Sequence, residues 1–168
     1  MATITRKGLT VHTSGNLPAV GSTAPAFKLT AVDLSDVGLD AFAGKKKLMN
    51  IVPSLDTGIC AMSARRFNSE VAKLDDAVLL NISADLPFAQ KRFCESEKLH
   101  NIVTLSTMHP TTFGTDYGVV MIDGPLAGIL SRAVLVLDQN NRVIHAQQVP
   151  EIAQEPDYES ALAALRSK

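Results

Sequence analysis

One stretch constrains the fold more than any other. The apolar run Leu48-Met-Asn-Ile-Val52 stops at Pro53, and a helical period starts at Cys60. Cys60, Ala64, Phe67, Val71 and Leu74 fall at i, i+4, i+7, i+11 and i+14, one face of an amphipathic helix, with Arg65, Arg66, Asn68, Ser69 and Lys73 largely off it. A second apolar run, Ala77-Val-Leu-Leu-Asn-Ile-Ser83, follows, as a strand covered on both faces would read. Cys60 is therefore expected where a strand hands over to a helix, in the first helical turn. A thiolate there meets backbone N–H groups with no intrahelical partner and the positive end of the helix dipole. Both stabilise the anion. Pro53 ends the strand and removes one N–H. Thr57 is placed to cap the helix, with its hydroxyl in reach of the sulfur. The sulfur points to the core side, half-buried and reached through a pocket. The plain alternative is a small buried hydrophobe beside an ordinary cap, because free cysteine is among the most buried residue types.

The rest of the chain extends the layered pattern. Ile4–Arg6 and Leu9–His12 flank Lys7-Gly8 as a short hairpin. A loop rich in Gly, Pro and Ser precedes the alternating strand Phe27–Ala31; Leu34–Phe42 reads as a short helical turn ended by Gly44. Lys47–Val52 is expected as a central strand. Asp85-Leu86-Pro87 predicts a helix start with Asp85 as cap, and the helix runs through Cys94 to about Glu97. On it, Ala89 and Phe93 are assigned inward and Gln90, Lys91 and Glu95 outward. Asn101–Leu105 is a further strand and Thr111–Tyr117 a short helix. Asp123-Gly124-Pro125 is a turn. Ala133–Asp138 and Arg142–Gln148 form a hairpin across Gln139-Asn140-Asn141. After Pro156-Asp157 a last helix turns Tyr158, Ala161, Leu162 and Leu165 inward. Strand–helix alternation followed by a hairpin and a helix predicts an α/β fold, a mixed central sheet flanked by helices. The order βαβ, then ββα, is the thioredoxin-like arrangement, with the N-terminal β-hairpin as an extension.

At 168 residues the chain is expected to form one domain, residues 1–168, and 46% hydrophobic residues suffice for a core. No apolar run approaches the roughly 20 residues of a membrane helix. Met1–Gly8 lacks the apolar core of a signal peptide, so a cytoplasmic location is expected. A net charge of −1 without a basic face argues against a nucleic-acid partner. Lys45-Lys46-Lys47 reads as a solvated turn before a strand. The two cysteines, Cys60 and Cys94, are too far apart in sequence for a Cys-x-x-Cys motif or zinc ribbon. None of His12, His100, His109 and His145 has metal-ligand spacing with them. Neither a metal nor an organic cofactor is expected.

Pro53, Thr57 and Cys60 match Pro-x-x-x-Thr-x-x-Cys, the signature of peroxiredoxins, and Pro53-Ser-Leu-Asp-Thr-Gly-Ile-Cys60 resembles that of the bacterial thiol peroxidases, atypical two-cysteine members of the family. The likeness continues in Asn81–Gln90, Arg92-Phe-Cys94, Thr104–Thr107, Asp123–Leu126 and Arg132-Ala-Val134. It covers nearly the whole chain with no departure at the motif positions. The resemblance implies a thioredoxin-like fold and a peroxidase in which Cys60 is oxidised to a sulfenic acid. Cys94 would resolve it as an intramolecular disulfide, which thioredoxin reduces. It further implies a homodimer and a preference for organic hydroperoxides. Arg132 matches the arginine that peroxiredoxins place beside the reactive cysteine, and Pro53 would shield the thiolate.

The chemistry explains why an arginine is wanted. A free thiol is only a few per cent ionised at pH 7. Lowering its pKa to about 6 gains roughly 30-fold in thiolate. A Brønsted slope near 0.45 takes back about 13-fold in nucleophilicity. A fast peroxidase must therefore stabilise the charge developing on the leaving oxygen, and a permanently charged guanidinium suits that task. On its residues alone, Arg132 fits a surface ion pair as well, and Cys94 fits a buried structural thiol. Two other functions are compatible with the pattern. One is a cysteine hydrolase pairing Cys60 with His100, His109 or His145. The other is a non-catalytic thioredoxin-fold binding module.

Overall fold

The computed structural model describes residues 1–167. Its centre is a seven-stranded mixed sheet. In chain order the strands are β1 (Thr3–Arg6), β2 (Leu9–His12), β3 (Leu29–Thr30), β4 (Asp36–Val37), β5 (Lys46–Ile51), β6 (Ala77–Ser83), β7 (Val103–Ser106), β8 (Ala133–Leu137) and β9 (Val143–Gln148). The helices are α1 (Gly58–Val71), α2 (Pro87–Glu97), α3 (Phe113–Asp116) and α4 (Tyr158–Arg166), with a 3₁₀ turn at Leu39–Phe42. Across the sheet the order is β4-β3-β7-β6-β5-β8-β9, while β1 and β2 form a separate hairpin. β5, β6 and β7 are parallel; β8 and β9 continue the sheet antiparallel on one side and β3 and β4 on the other. This is the thioredoxin-like fold with its N-terminal hairpin extension.

Period-two alternation fills both faces of the sheet. Leu48, Leu79, Val134 and Val136 face α1 and α4, packing with Phe67, Val71, Ala161, Leu162 and Leu165. Their neighbours Met49, Leu80, Ile82, Leu105 and Leu135 face the other way, toward Phe27, Leu29, Phe113 and Tyr117. The aromatic rings lock together there, Phe113 stacking on Tyr117 at 4.5 Å and meeting Phe27 edge-on at 5.7 Å. The predicted stripe of α1 is the observed one, with Cys60, Ala64, Phe67 and Val71 buried. β5 is an interior strand, between β6 and β8.

Several local expectations are corrected. Only Leu29–Thr30 of the predicted strand Phe27–Ala31 pairs, and the 34–42 stretch contributes β4 before its helical turn. Asp85 does not cap α2; Leu86 occupies that position with no side-chain bond, and Pro87 begins the helix. Gln90 is buried rather than outward, its amide donating to Ser83 Oγ at 3.1 Å and the Leu105 carbonyl at 3.0 Å. Lys46 and Lys47 are not solvated: both lie buried in β5. Their long arms cover apolar surface and their ammonium groups find oxygen at its margin. Lys47 Nζ donates to Asn141 Oδ1 at 2.7 Å, and Lys46 Nζ to the Leu165 carbonyl at 3.1 Å. Burial lowers the Lys47 pKa, opposed by the Asp138 charge.

The hairpin β1–β2 turns at Lys7 and Gly8, both left-handed with φ of 50° and 82°, the conformation that tight two-residue hairpins require. It does not float free. Ile4 and Val11 pack with Met121 and Ile152, and Thr5 pairs with the 150–152 segment: its N–H donates to the Pro150 carbonyl at 2.7 Å, and its carbonyl accepts from Ile152 N at 2.9 Å.

Candidate active site

The strand-to-helix junction builds the site. After β5 the chain passes Pro53 and turns into α1 with Thr57 as cap, in extended conformation (φ −92°, ψ 142°). Thr57 Oγ1 accepts from Cys60 N at 3.4 Å, and the hydroxyl lies 2.7 Å from Cys60 Sγ, donating to it. The sulfur is fully buried, beyond the half-burial expected of it. It packs with Val52, Leu55, Ala64, Phe93 and Leu99.

The loop before the helix is tied from a distance. The Asp85 carboxylate accepts from Ser54 Oγ at 2.7 Å, Leu55 N at 2.8 Å and Ser83 Oγ at 2.8 Å. Asp85 therefore joins the end of β6, the lead into α2 and the Cys60 loop. No local pattern announces this, since Ser54 and Asp85 are 31 positions apart.

Arg132 comes from the opposite side, immediately before β8. Only 2% of it is exposed. Nη2 donates to Cys60 Sγ at 3.3 Å and Nε to the Ile152 carbonyl at 2.9 Å. Nη1 is buried and has no partner among the described residues. The Arg132 carbonyl, in turn, accepts from Gln148 Nε2 at 2.8 Å and Val149 N at 3.0 Å, which fixes the backbone from which the side chain starts. Pro53, Thr57 and Arg132 line one cavity of about 410 Å³. Its walls include Ile59, Leu126, Ile129 and Ile152, and Arg6 and Lys7 of the hairpin also line it. A sulfur anion here has two side-chain donors, one of them cationic, and the guanidinium retains an N–H group for a further acceptor. The charge-assisted bond is the stronger kind.

The structure thus brings Cys60, Thr57, Arg132 and Pro53 together. Cys94 lies on α2, a half-buried free thiol that does not bond Cys60 but packs against the hydrophobic cluster that holds it. It lines a different cavity of about 370 Å³ with Lys91, Leu99 and His100, and no residue is common to the two cavities. Burial, with a smaller contribution from Glu95, pushes the Cys94 thiol up to about 11. Its neighbour Phe93 is a buried member of the Cys60 cluster.

No histidine hydrogen-bonds the sulfur among the described residues. His12 pairs with Asp123 at 2.6 Å and His109 with Asp36 at 2.7 Å, whereas His145 lies on β9 with a buried, unpartnered Nε2. A cysteine hydrolase would need an imidazole at the sulfur, and the place is taken by an arginine.

The family model described as Redoxin matches residues 19–162. Proteins called thiol peroxidase from Mycobacterium bovis and Mycobacterium tuberculosis are each 52% identical over 165 residues, 98% of this chain and 99% of theirs. The chain is a redoxin of the thiol peroxidase group. Among solved structures, a peroxiredoxin-like protein from Aquifex aeolicus superposes with a TM-score of 0.92 at 34% identity, over 99% of this chain and 96% of that one. The thiol peroxidase from Chromobacterium violaceum, at 23% identity, shares the fold with a TM-score of 0.90 over 98% of this chain and 95% of its own. In this redoxin the hairpin β1–β2 precedes the segment that the family model matches. The rest of the junction described above lies within it.

Proposed function

We propose that the protein reduces hydroperoxides with Cys60 as the attacking thiolate. The sulfur takes the terminal peroxide oxygen as the O–O bond breaks; two electrons pass from sulfur to the peroxide, and the proton that the thiol gave up on ionising returns, leaving a Cys60 sulfenic acid and an alcohol or water. Arg132 Nη1 donates to the oxygen that gains charge, and Thr57 holds the sulfur. Pro53 walls the thiolate off from bulk water. Cys94 then attacks the sulfenic sulfur and expels water, forming a Cys60–Cys94 disulfide, and a thioredoxin-type dithiol reduces it. The observation that carries this reading is the buried sulfur held between Thr57 Oγ1 at 2.7 Å and Arg132 Nη2 at 3.3 Å, with Nη1 left over.

The apolar wall of Ile59, Leu126 and Ile129 favours organic hydroperoxides over hydrogen peroxide. Antioxidant defence in the cytoplasm, where thiols stay reduced, belongs to the same reading. So does a homodimer, for which the exposed Leu86 and Phe88 at the start of α2 offer apolar surface.

Mixing the reduced protein with one equivalent of cumene hydroperoxide tests it. The expected product has lost two thiols with no gain of oxygen mass, and thioredoxin restores both. Cys60→Ser abolishes peroxide consumption. Cys94→Ser reacts once and stops at the sulfenate. Equal loss of the first reaction in both variants overturns the division of roles.

A further inference from the structure

We propose that Glu151 is a positioning residue for Arg132, acting through the Ile152 carbonyl, and that the N-terminal hairpin is thereby part of the framework of the reactive site. The inference rests on the role of Arg132 given above. A guanidinium is planar, so the direction of its Nε–H bond sets the plane in which Nη1 and Nη2 lie. In this protein Nε donates to the Ile152 carbonyl at 2.9 Å while Nη2 meets the sulfur at 3.3 Å. Where the Ile152 oxygen sits therefore decides where the unpartnered Nη1 is offered.

Ile152 lies on an irregular segment after β9, outside any helix or ladder strand. One carboxylate ties that segment to the hairpin. Glu151 accepts from Thr5 Oγ1 at 2.8 Å, Lys7 N at 3.0 Å and Gly8 N at 3.3 Å on the hairpin, and from Ala153 N at 3.0 Å on its own segment. A carboxylate has about four acceptor sites and no donor, and four donors converge on this one. The left-handed turn at Lys7 and Gly8 is what directs two successive N–H groups at it. The backbone bonds from Thr5 N to the Pro150 carbonyl and from Ile152 N to the Thr5 carbonyl complete the splice. Ile152 buries its side chain beside Ile4 and Val11 of the same hairpin. The Ala153, Lys7 and Thr5 bonds hold the Glu151 carboxyl down at about 2, so the clasp is ionised throughout the neutral range.

Glu151→Gln keeps the shape but turns an NH2 group toward N–H donors. The test compares, in reduced full-length protein, the first reaction with cumene hydroperoxide and the alkylation of Cys60 by iodoacetamide. Only the former needs a donor at a leaving oxygen. Misplacing a catalytic group by about 1 Å can cost on the order of 100-fold, so Glu151→Gln is expected to slow the peroxide step at least ~10-fold while alkylation changes less than ~3-fold. In an Arg132→Met background the same substitution is expected to cost less than about 2-fold, because residues acting through one another are not additive. Thr5→Val, which removes a single bond to the carboxylate, gives a smaller loss with the same non-additivity and serves if Glu151→Gln does not fold. A peroxide rate within about 2-fold of the parent, or losses that multiply in the double variant, overturn the proposal. A parent protein that fails to reduce peroxide overturns instead the reading on which it rests.

Discussion

At the scale of single residues, the site depends on where one guanidinium puts its three nitrogen atoms. Nη2 is engaged with the sulfur, Nε with the Ile152 carbonyl, and Nη1 with nothing among the described residues. Arg132→Met removes all three donors and keeps most of the apolar stem. Losing a donor aimed at developing negative charge costs on the order of 100- to 1,000-fold, so the peroxide step is expected to slow by about that factor. Alkylation of Cys60, which has no anionic leaving oxygen to stabilise, is expected to change far less. Parallel losses in the two rates would reduce Arg132 to a partner of the thiolate alone.

Much of this was legible in the sequence. Thr57 and Cys60 share a helix start, and local spacing is enough to bring a cap hydroxyl to a sulfur three residues on. Arg132 is 72 positions from Cys60, and its role could be expected only through family resemblance. Asp85 and Gln90 depart from their sequence expectation for a related reason. Local rules point to a cap and to solvent, whereas tertiary partners at Ser54, Leu55 and Leu105 engage them. Lys46 and Lys47 escaped a charge-based reading because burial of a lysine arm depends on what oxygen lies at its tip.

Among the elements, α2 is weakly restrained at both ends. It has 11 residues, no side-chain bond at its N-cap, and ends on Lys98 in left-handed conformation at φ 55°. That conformation costs a residue with a side chain roughly 1–2 kcal/mol. Glycine would avoid the cost, less about 0.5–1 kcal/mol for its freer unfolded chain. Lys98→Gly is therefore expected to stabilise α2 by about 0.5–1 kcal/mol. If Cys94 reaches Cys60 only after α2 unwinds, the same variant should form the disulfide more slowly while its first peroxide reaction is unchanged. Hydrogen exchange should rise on oxidation around Cys60 and from about Pro87 to Lys98; unchanged protection in both segments with the disulfide formed would refute the unwinding. Regions with low local stability are the ones that open cheaply.

The Cys94 thiol adds a pH dependence to the same element. Its folded pKa, raised to about 11 by burial and by Glu95, stands above that of an unfolded cysteine. The folded state thus prefers the neutral thiol, and the associated stability is intact below about 8.5 and is lost as pH rises toward about 11. Reduced wild-type protein should lose urea resistance over that interval faster than Cys94→Ser. Identical pH profiles would mean that α2 does not bury the thiol in solution.

For the whole molecule, the layered fold follows from alternation along the strands. Leu48 and Met49, adjacent in β5, sit in different cores on opposite faces of the sheet. What alternation does not encode is how the added hairpin lies on that frame, which is shared among the packing of Ile4 and Val11, the backbone bonds of Thr5 and the Glu151 carboxylate far along the chain. The Glu151 pKa of about 2 makes this splice acid-sensitive. Because it is depressed, its contribution is whole above the ordinary carboxylate range and fades as pH falls toward about 2. Amide exchange at Lys7 and Gly8, corrected for the intrinsic rate, should show protection at pH 6 that disappears near pH 2. Protection that persists there would assign the splice to the backbone bonds of Thr5.

The Asp85 tether turns chemistry into a matter of timing. One carboxylate grips Ser54 and Leu55 before the reactive cysteine and belongs itself to the two residues that lead into α2. Loosening the start of α2 therefore tugs on the Cys60 loop, so the two segments share a single latch rather than opening as independent doors. If Cys94 resolves the Cys60 sulfenate as proposed, a sulfenate behind a closed latch waits for its partner thiol, and during that wait a second peroxide molecule can carry it to the irreversible sulfinate.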